Sequence, residues 1–183
     1  LIATNFNFPW MNDFLAGLGY KKEVDLVCYK VDIPEEIPEF LQKVYQRAIQ
    51  RDDLIMHEFT TRKALKPWIV PIFELINETY RHIYGFMPVT RDEMYEFADR
   101  YLPVLNPRFI KLITNRENQV LAFLISMPEL SAGIRRARGR LFPIGWIPIL
   151  IESRRTRLLT MLLGAIKPSH RGKGLDALMG IKL

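Results

Sequence analysis

The residues best suited to chemistry lie near the end of the sequence, where glycines and basic side chains follow an apolar segment. Residues 157–166 indicate a strand, and a helix is predicted from Gly174 onward. Arg171, Gly172 and Lys173 lie between them. The first N–H groups of a helix have no intrahelical partner, and glycines let an anion approach the backbone closely. The pattern therefore predicts a phosphate-binding loop.

Two common phosphate loops fit this segment poorly. A Walker A loop needs Ser or Thr after its Lys to hold magnesium, but Gly174 follows Lys173, which excludes it. The dinucleotide pattern G-x-G-x-x-A is met by Gly172, Gly174 and Ala177. That pattern begins one or two residues after its strand, whereas residues 167–171 intervene here, and a hairpin upstream argues against a parallel sheet. We therefore disfavour a dinucleotide site.

A third kind of loop matches better. The segment Ile166-x-Pro168-x-x-Arg171-Gly172-x-Gly174-Leu175 resembles the acyl-CoA loop of the GNAT N-acetyltransferase superfamily, R/Q-x-x-G-x-G/A after a strand ending in V-x-P. Arg171 and Gly174 occupy the first two fixed positions, while Asp176 stands where Gly or Ala is usual. The resemblance covers about residues 54–183.

The resemblance implies an α/β fold with a GNAT-like mixed, largely antiparallel sheet flanked by helices, of which the C-terminal part is missing from this chain. It implies acetyl-CoA or another acyl-CoA as cofactor, with pantetheine along the fourth strand and pyrophosphate on the loop. The implied cofactor-binding residues are Leu163, Gly164, Ala165, Ile166, Arg171, Gly172, Lys173, Gly174, Leu175 and Asp176.

The activity implied by the resemblance is transfer of an acetyl or other acyl group to a primary amine of a small molecule or peptide. The alternative is a catalytically inactive GNAT-like domain that serves binding or assembly through a basic surface. The sequence assigns no catalytic residue. Glu129 and Glu152 are the carboxylates nearest to where an amine would be deprotonated, and His170 adjoins the loop. His57 and His82 lie in apolar or helical patterns, which favours structural roles for both.

The elements upstream follow from hydrophobic periodicity and turn signals. Thr90 and Glu93 form a capping-box pattern at the start of one helix. From residue 54 the predicted order is strand, helix, helix, hairpin, strand, glycine loop and helix. Predicted helices cover residues 9–18, 36–50, 69–85, 90–101 and 131–138, and predicted strands cover residues 24–31, 54–60, 109–114, 119–127 and 157–166.

The domain organisation suggests part of a tandem protein. Residues 12–20, which end in Gly-Tyr, resemble the late helix of the same fold. We therefore interpret residues 1–33 as the tail of a preceding GNAT-like unit, residues 34–53 as a connecting helix and residues 54–183 as a truncated acyl-CoA-binding domain. Leu175, Leu178 and Met179 then form an apolar helix face that needs a cover, which we expect from residues 1–31 of a neighbouring copy or from a companion domain.

Composition restricts the class of protein. With 49% hydrophobic and 25% charged residues in 183, the chain is typical of a globular protein. No apolar run reaches the roughly 20 residues that span a bilayer, and no signal peptide is evident at the start. One cysteine excludes an internal disulfide, and three scattered histidines give no metal-binding pattern. We expect a cytoplasmic protein with no membrane partner and no metal.

Charge is concentrated in the last third of the chain. Residues 131–183 contain 11 basic and 2 acidic side chains, a net charge of +9, whereas the remaining residues contain 15 and 18. Such a field attracts a polyanion, be it nucleic acid, anionic lipid or a polyphosphate cofactor. Because the arginines at 135–140 are not interleaved with stacking aromatics, we expect a solvated face and no specific nucleic-acid binding.

Overall fold

Four strands and seven α-helices make up residues 7–183, the part of the chain that the computed structural model describes. Short 3₁₀ helices at Arg62–Trp68, Pro107–Phe109 and Pro168–His170 connect some of them. The helices are α1 (Pro9–Gly17), α2 (Glu39–Ile49), α3 (Ile69–Thr79), α4 (Arg91–Tyr101), α5 (Ser131–Arg136), α6 (Trp146–Arg155) and α7 (Leu175–Ile181). The strands are β1 (Ile55–Glu58), β2 (Ile110–Thr114), β3 (Val120–Pro128) and β4 (Leu159–Ile166).

The strands form one open sheet in the order β1-β2-β3-β4, with every neighbouring pair antiparallel. The β2–β3 hairpin closes through a turn in which Asn118 has φ of 59°, a conformation that Asn tolerates better than most residues. The predicted hairpin and the predicted succession of strands along the chain from residue 54 are confirmed. The result is the mixed α/β class that the resemblance implies, consistent with a GNAT-like fold.

Helices cover both faces of this sheet because its central strands are apolar on both sides. Consecutive residues of a strand point to opposite faces, and Leu112 and Ile113 accordingly belong to two different cores. Leu112 packs with residues of α3, including Ile72, while Ile113 packs with α7, including Leu175. The sheet is therefore the middle layer between α3 on one face and α2 with α7 on the other.

The apolar face of α7 is covered, which corrects one expectation. Leu175, Leu178 and Met179 are 0%, 3% and 4% exposed, and they share a core with Ala48 of α2. Helix α2, which lies in the segment interpreted as a connecting helix, thus covers this face, because the apolar side of α2 packs against α7. No neighbouring copy is needed there. The division of the chain at residues 33 and 53 stays a prediction.

Helix α3 ends earlier than the apolar periodicity predicts, at Thr79 rather than near Gly85. The Asn77 carbonyl, which would accept the N–H of residue 81 in a longer helix, instead accepts from Arg81 Nε at 3.2 Å. Within the last turn the Thr79 hydroxyl donates to the Leu75 carbonyl at 2.6 Å. The chain turns through residues 80–85, which leaves Ile83 43% exposed.

The capping box at the start of α4 is confirmed, as is the helix up to Tyr101. Two other features differ from prediction. Residues 24–31 form no strand, because they pair with no strand among residues 7–183, and Tyr29 and Val31 are 86% and 79% exposed. Helix α6 was not predicted, because a proline such as Pro148 indicates a break in a helix. In the structure Pro148 lies in the first turn of α6, where proline is tolerated.

Candidate functional site

The outer edge of β4 is the first part of the candidate site. Within the described chain β4 pairs only with β3, so its other side is an open edge. In antiparallel pairing, residues alternately direct both backbone groups to the partner strand or away from it. At Gly164 both groups meet the Tyr80 hydroxyl instead of β3. The hydroxyl accepts from the Gly164 N–H at 3.2 Å and donates to the Gly164 carbonyl at 2.9 Å.

A bulge in β4 lies immediately before this contact. Ile125 of β3 pairs with Leu163, whereas the next residue, Ser126, pairs with Met161, so Leu162 is an extra residue on β4. A bulge increases the local twist and disturbs the alternation of side chains. The Ser126 hydroxyl, opposite this point, is buried without a hydrogen-bond partner among the described residues. The strand therefore leaves regular pairing just before the residues that the resemblance assigns to pantetheine.

The loop after β4 continues the backbone pairing briefly and then turns. The Lys167 N–H donates to the Leu121 carbonyl of β3 at 2.8 Å, and the following Pro168–His170 turn is 3₁₀. Arg171 Nε reaches back to the Ile166 carbonyl at 3.3 Å. The loop is thereby tied to the end of β4, so strand and loop form one continuous surface.

Two glycines give the loop its shape. Gly172 and Gly174 have φ of 70° and 80°, the left-handed region that disfavours residues with a Cβ. Gly174 is also packed against α2: a Cβ there would lie 2.7 Å from Val44 Cγ1. A Cβ on Gly172 would have no atom within 4 Å. Gly174 thus serves the packing of the loop onto α2, while Gly172 serves the turn itself.

The backbone of the loop offers several hydrogen-bond donors. Among the described residues, none accepts a hydrogen bond from the backbone N–H groups of residues 172–176. Successive N–H groups in such a turn form a concave surface that favours an anion. Lys173 adds an exposed cation to it. The arrangement can bind phosphate oxygens through backbone N–H groups while the nearby cation supplies charge.

The electrostatics around the loop are positive. Partial burial lowers the pKa of His170, and the nearby charges of Lys173, Arg51 and Lys167 lower it further, with Asp53 opposing them. The part of this lowering that comes from the neighbouring cations indicates a positive local potential. Ser169 Oγ lies 2.9 Å from His170 Nδ1, which orients the ring. His170 is thus adjacent to the loop, as the sequence predicts, and is held in place there.

Glu129 has a structural position. Its carboxylate accepts from the Ser131 N–H at 2.7 Å, at the start of α5, and from the Thr160 hydroxyl of β4 at 3.0 Å. The hydrogen bond from Ser131 is the main cause that lowers the pKa of Glu129. A lowered pKa makes a carboxylate a weaker base. The geometry therefore favours a role in joining α5 to β4 over a role as general base.

The other titratable candidates also have structural partners or lie outside the site. Glu152 of α6 accepts from Arg136 of α5 at 3.1 Å and so links these two helices. His57 Nε2 lies 2.9 Å from the Thr114 hydroxyl, and burial lowers its pKa. His82 is exposed in the turn after α3. Glu129, Glu152 and the two histidines therefore do not form a general base at the candidate site.

Tyr80 is a candidate site residue that the sequence analysis missed. It belongs by spacing to the apolar stripe of α3, so periodicity indicates a core residue. Its hydroxyl instead reaches the open edge of β4. No sequence signal distinguishes the two roles, because a stripe tyrosine and a strand-binding tyrosine have the same spacing.

Residues 7–183 contain neither a candidate metal site nor a candidate membrane-spanning helix. No cluster of three or more His, Cys, Asp or Glu side chains there could hold a metal ion. Over the same residues, none of the helices has the length and apolar character required to cross a membrane.

Comparison with known proteins gives two distant similarities. The chain is 24% identical over 132 residues to a bacterial ceramide synthase from Caulobacter vibrioides, which covers 72% of this chain and 34% of that protein. It is also 24% identical over 143 residues to protein YghO from Escherichia coli, which covers 78% of this chain and 36% of that protein. The chain thus spans about a third of the length of these relatives. No protein-family model matches it.

Proposed function

We propose that this chain contains the acyl-CoA-binding part of an N-acyltransferase, which transfers an acyl group from acyl-CoA to a primary amine. The observation that carries this proposal is the continuity of two surfaces. The outer edge of β4, where the Tyr80 hydroxyl bonds to Gly164, leads directly into a loop whose N–H groups at residues 172–176 have no acceptor among residues 7–183. A molecule with an amide-containing arm and a pyrophosphate matches that sequence of donors and acceptors.

Each part of the surface has a separate task in this proposal. The β4 edge binds the pantetheine arm through backbone groups, the Arg171–Asp176 loop binds the pyrophosphate, and Lys173 adds charge. A strand-edge N–H polarises the thioester carbonyl. The amine nitrogen then forms the C–N bond, the C–S bond breaks and CoA leaves as the thiolate. An ordered water or a base outside the described contacts removes the ammonium proton.

The relatives support the same chemical class. One is named a ceramide synthase, and ceramide is an amide of a fatty acid, so its formation is an N-acylation. At 24% identity over about a third of that protein, this likeness supports acyl transfer in general. The amine acceptor of this chain is part of our proposal.

Thermal melting with and without ligand tests the proposal. A ligand present at 100 times its dissociation constant stabilises the folded state by about 2.7 kcal/mol. We expect CoA and acyl-CoA to raise the melting temperature of the full chain, while adenosine, which lacks phosphate and pantetheine, leaves it unchanged. Release of free thiol from acyl-CoA that depends on added amine, together with detection of the N-acylated amine, would then show transfer. No shift with CoA or any acyl-CoA at millimolar concentration would contradict the proposal.

A further inference from the structure

An apolar cavity of about 550 Å³ lies between α3, α4 and the sheet. This volume falls within the roughly 300–1,000 Å³ range of small-molecule sites. Ile72 and Ile76 line it from α3, Ala98 from α4, and Ile125 from β3. Among the residues that line it, tyrosine hydroxyls are the only polar side-chain groups. A cavity with such a lining disfavours water and binds apolar ligands.

The cavity reaches the open edge of β4. Leu162 and Leu163 both line it, although consecutive strand residues normally face opposite sides. The bulge at Leu162 accounts for this departure. Tyr80 lines the cavity as well, and its hydroxyl is bonded to Gly164. A group attached at the strand edge near Gly164 is therefore next to the cavity.

We propose that this cavity holds the hydrocarbon chain of a long-chain acyl-CoA whose pantetheine lies along β4. The inference rests on the proposed function, because it takes the thioester to be at the strand edge. We infer this ligand from the two surfaces that lie on either side of Gly164. The cavity offers apolar surface with no charged side chain in its lining, and the loop after β4 offers donors and positive charge. A fatty acyl-CoA has the same division between an apolar chain and a phosphate-rich head.

The test compares ligands that differ only in chain length. Affinities for CoA, acetyl-CoA, octanoyl-CoA and dodecanoyl-CoA are measured by calorimetry below the micelle concentration of each. Complete burial contributes at most about a fourfold gain per methylene. If the acyl chain enters the cavity, we expect dodecanoyl-CoA to bind at least about 100-fold more tightly than acetyl-CoA.

Two variants narrow the cavity at different lining residues. Ala98→Phe adds a ring at a buried position of α4, and Val89→Trp adds one at a half-buried position that also lines the cavity. Val104→Trp is the matched control, because Val104 is 68% exposed and outside the lining. Both cavity variants are expected to lose most of the gain from chain length while CoA itself binds as before, and the control is expected to keep the gain.

The outcomes separate this inference from the proposed function. Equal affinity for all four ligands in the unmodified chain would overturn the inference and leave acyl-CoA binding intact. The cavity would then accommodate protein side chains rather than an acyl chain. Retention of the full gain in both narrowed variants would also overturn it. If neither CoA nor any acyl-CoA binds, the proposed function fails together with the inference.

Discussion

The Tyr80 hydroxyl makes hydrogen bonds to both backbone groups of Gly164, at 2.9 Å to the carbonyl and 3.2 Å from the N–H. A residue of the turn after α3 thereby bonds to the outer edge of β4. The same edge is where we propose that pantetheine binds. The Tyr80 hydroxyl thus bonds to the N–H and carbonyl of Gly164 as an amide of the ligand would.

The first prediction concerns this contact. Tyr80→Phe removes the hydroxyl and keeps the ring, so we expect the free energy of unfolding to fall by about 1 kcal/mol. Affinity for CoA should be unchanged or higher, because the variant frees the backbone groups of Gly164. Denaturant unfolding and calorimetry measure the two effects. A loss of CoA affinity of tenfold or more would show instead that the hydroxyl contacts the ligand.

The second prediction separates the two glycines of the loop. Gly174→Ala combines left-handed backbone strain with a contact of 2.7 Å to Val44, a stiff β-branched side chain. We expect it to destabilise the fold by about 2–4 kcal/mol. Gly172→Ala has a similar φ but open space, so it should cost about 1 kcal/mol. Equal losses in urea unfolding would show that packing on α2 contributes nothing at Gly174.

The third prediction concerns charge at the loop. Lys173→Ala should weaken CoA binding by roughly threefold to tenfold, because an exposed cation near phosphate contributes a modest, screened attraction. The difference should shrink as salt concentration rises. Lys63→Ala, an exposed lysine in the turn before α3, is the matched control and should bind as the unmodified chain does. Equal weakening by both variants would indicate a general charge effect rather than a site.

The fourth prediction concerns Glu129. Its pKa is lowered in the folded state, so the carboxylate stabilises the fold above its ordinary value of 4.5 and this contribution is lost as pH falls through the folded pKa. Glu129→Gln should therefore be less stable than the unmodified chain at neutral pH, by about 1 kcal/mol or less. The gap should close below pH 4.5.

Any activity of the Glu129→Gln variant discriminates further. A structural role leaves the pH profile of acyl transfer unchanged once the variant is folded. Loss of turnover with unaltered unfolding free energy would instead make Glu129 the general base.

Elements with strong local signals could be predicted from the sequence. The capping box of Thr90 and Glu93 begins α4, and the polar turn around Asn118 closes the β2–β3 hairpin. The glycine loop was found because its residue types are rare together. These features depend on interactions between residues close in sequence, so a single sequence contains them.

The remaining features depend on residues far apart in sequence. Residues 24–31 lack a strand because no partner edge meets them in the described chain. Tyr80 and Gly164 are separated by 84 positions. Hydrophobic periodicity does not indicate such distant contacts. The bond between Tyr80 and the β4 edge, and the cavity beside it, are therefore evident only from the three-dimensional structure.

Amide signals of the loop and strand test the central claim most directly. With ¹⁵N-labelled protein, two-dimensional NMR follows each backbone N–H as CoA is added. We expect the largest shift changes at residues 172–176 and at Gly164, with little change at exposed residues of α5 and α6. Shift changes confined to other surfaces, or none at millimolar CoA, would contradict the assignment of this strand edge and loop as the cofactor site.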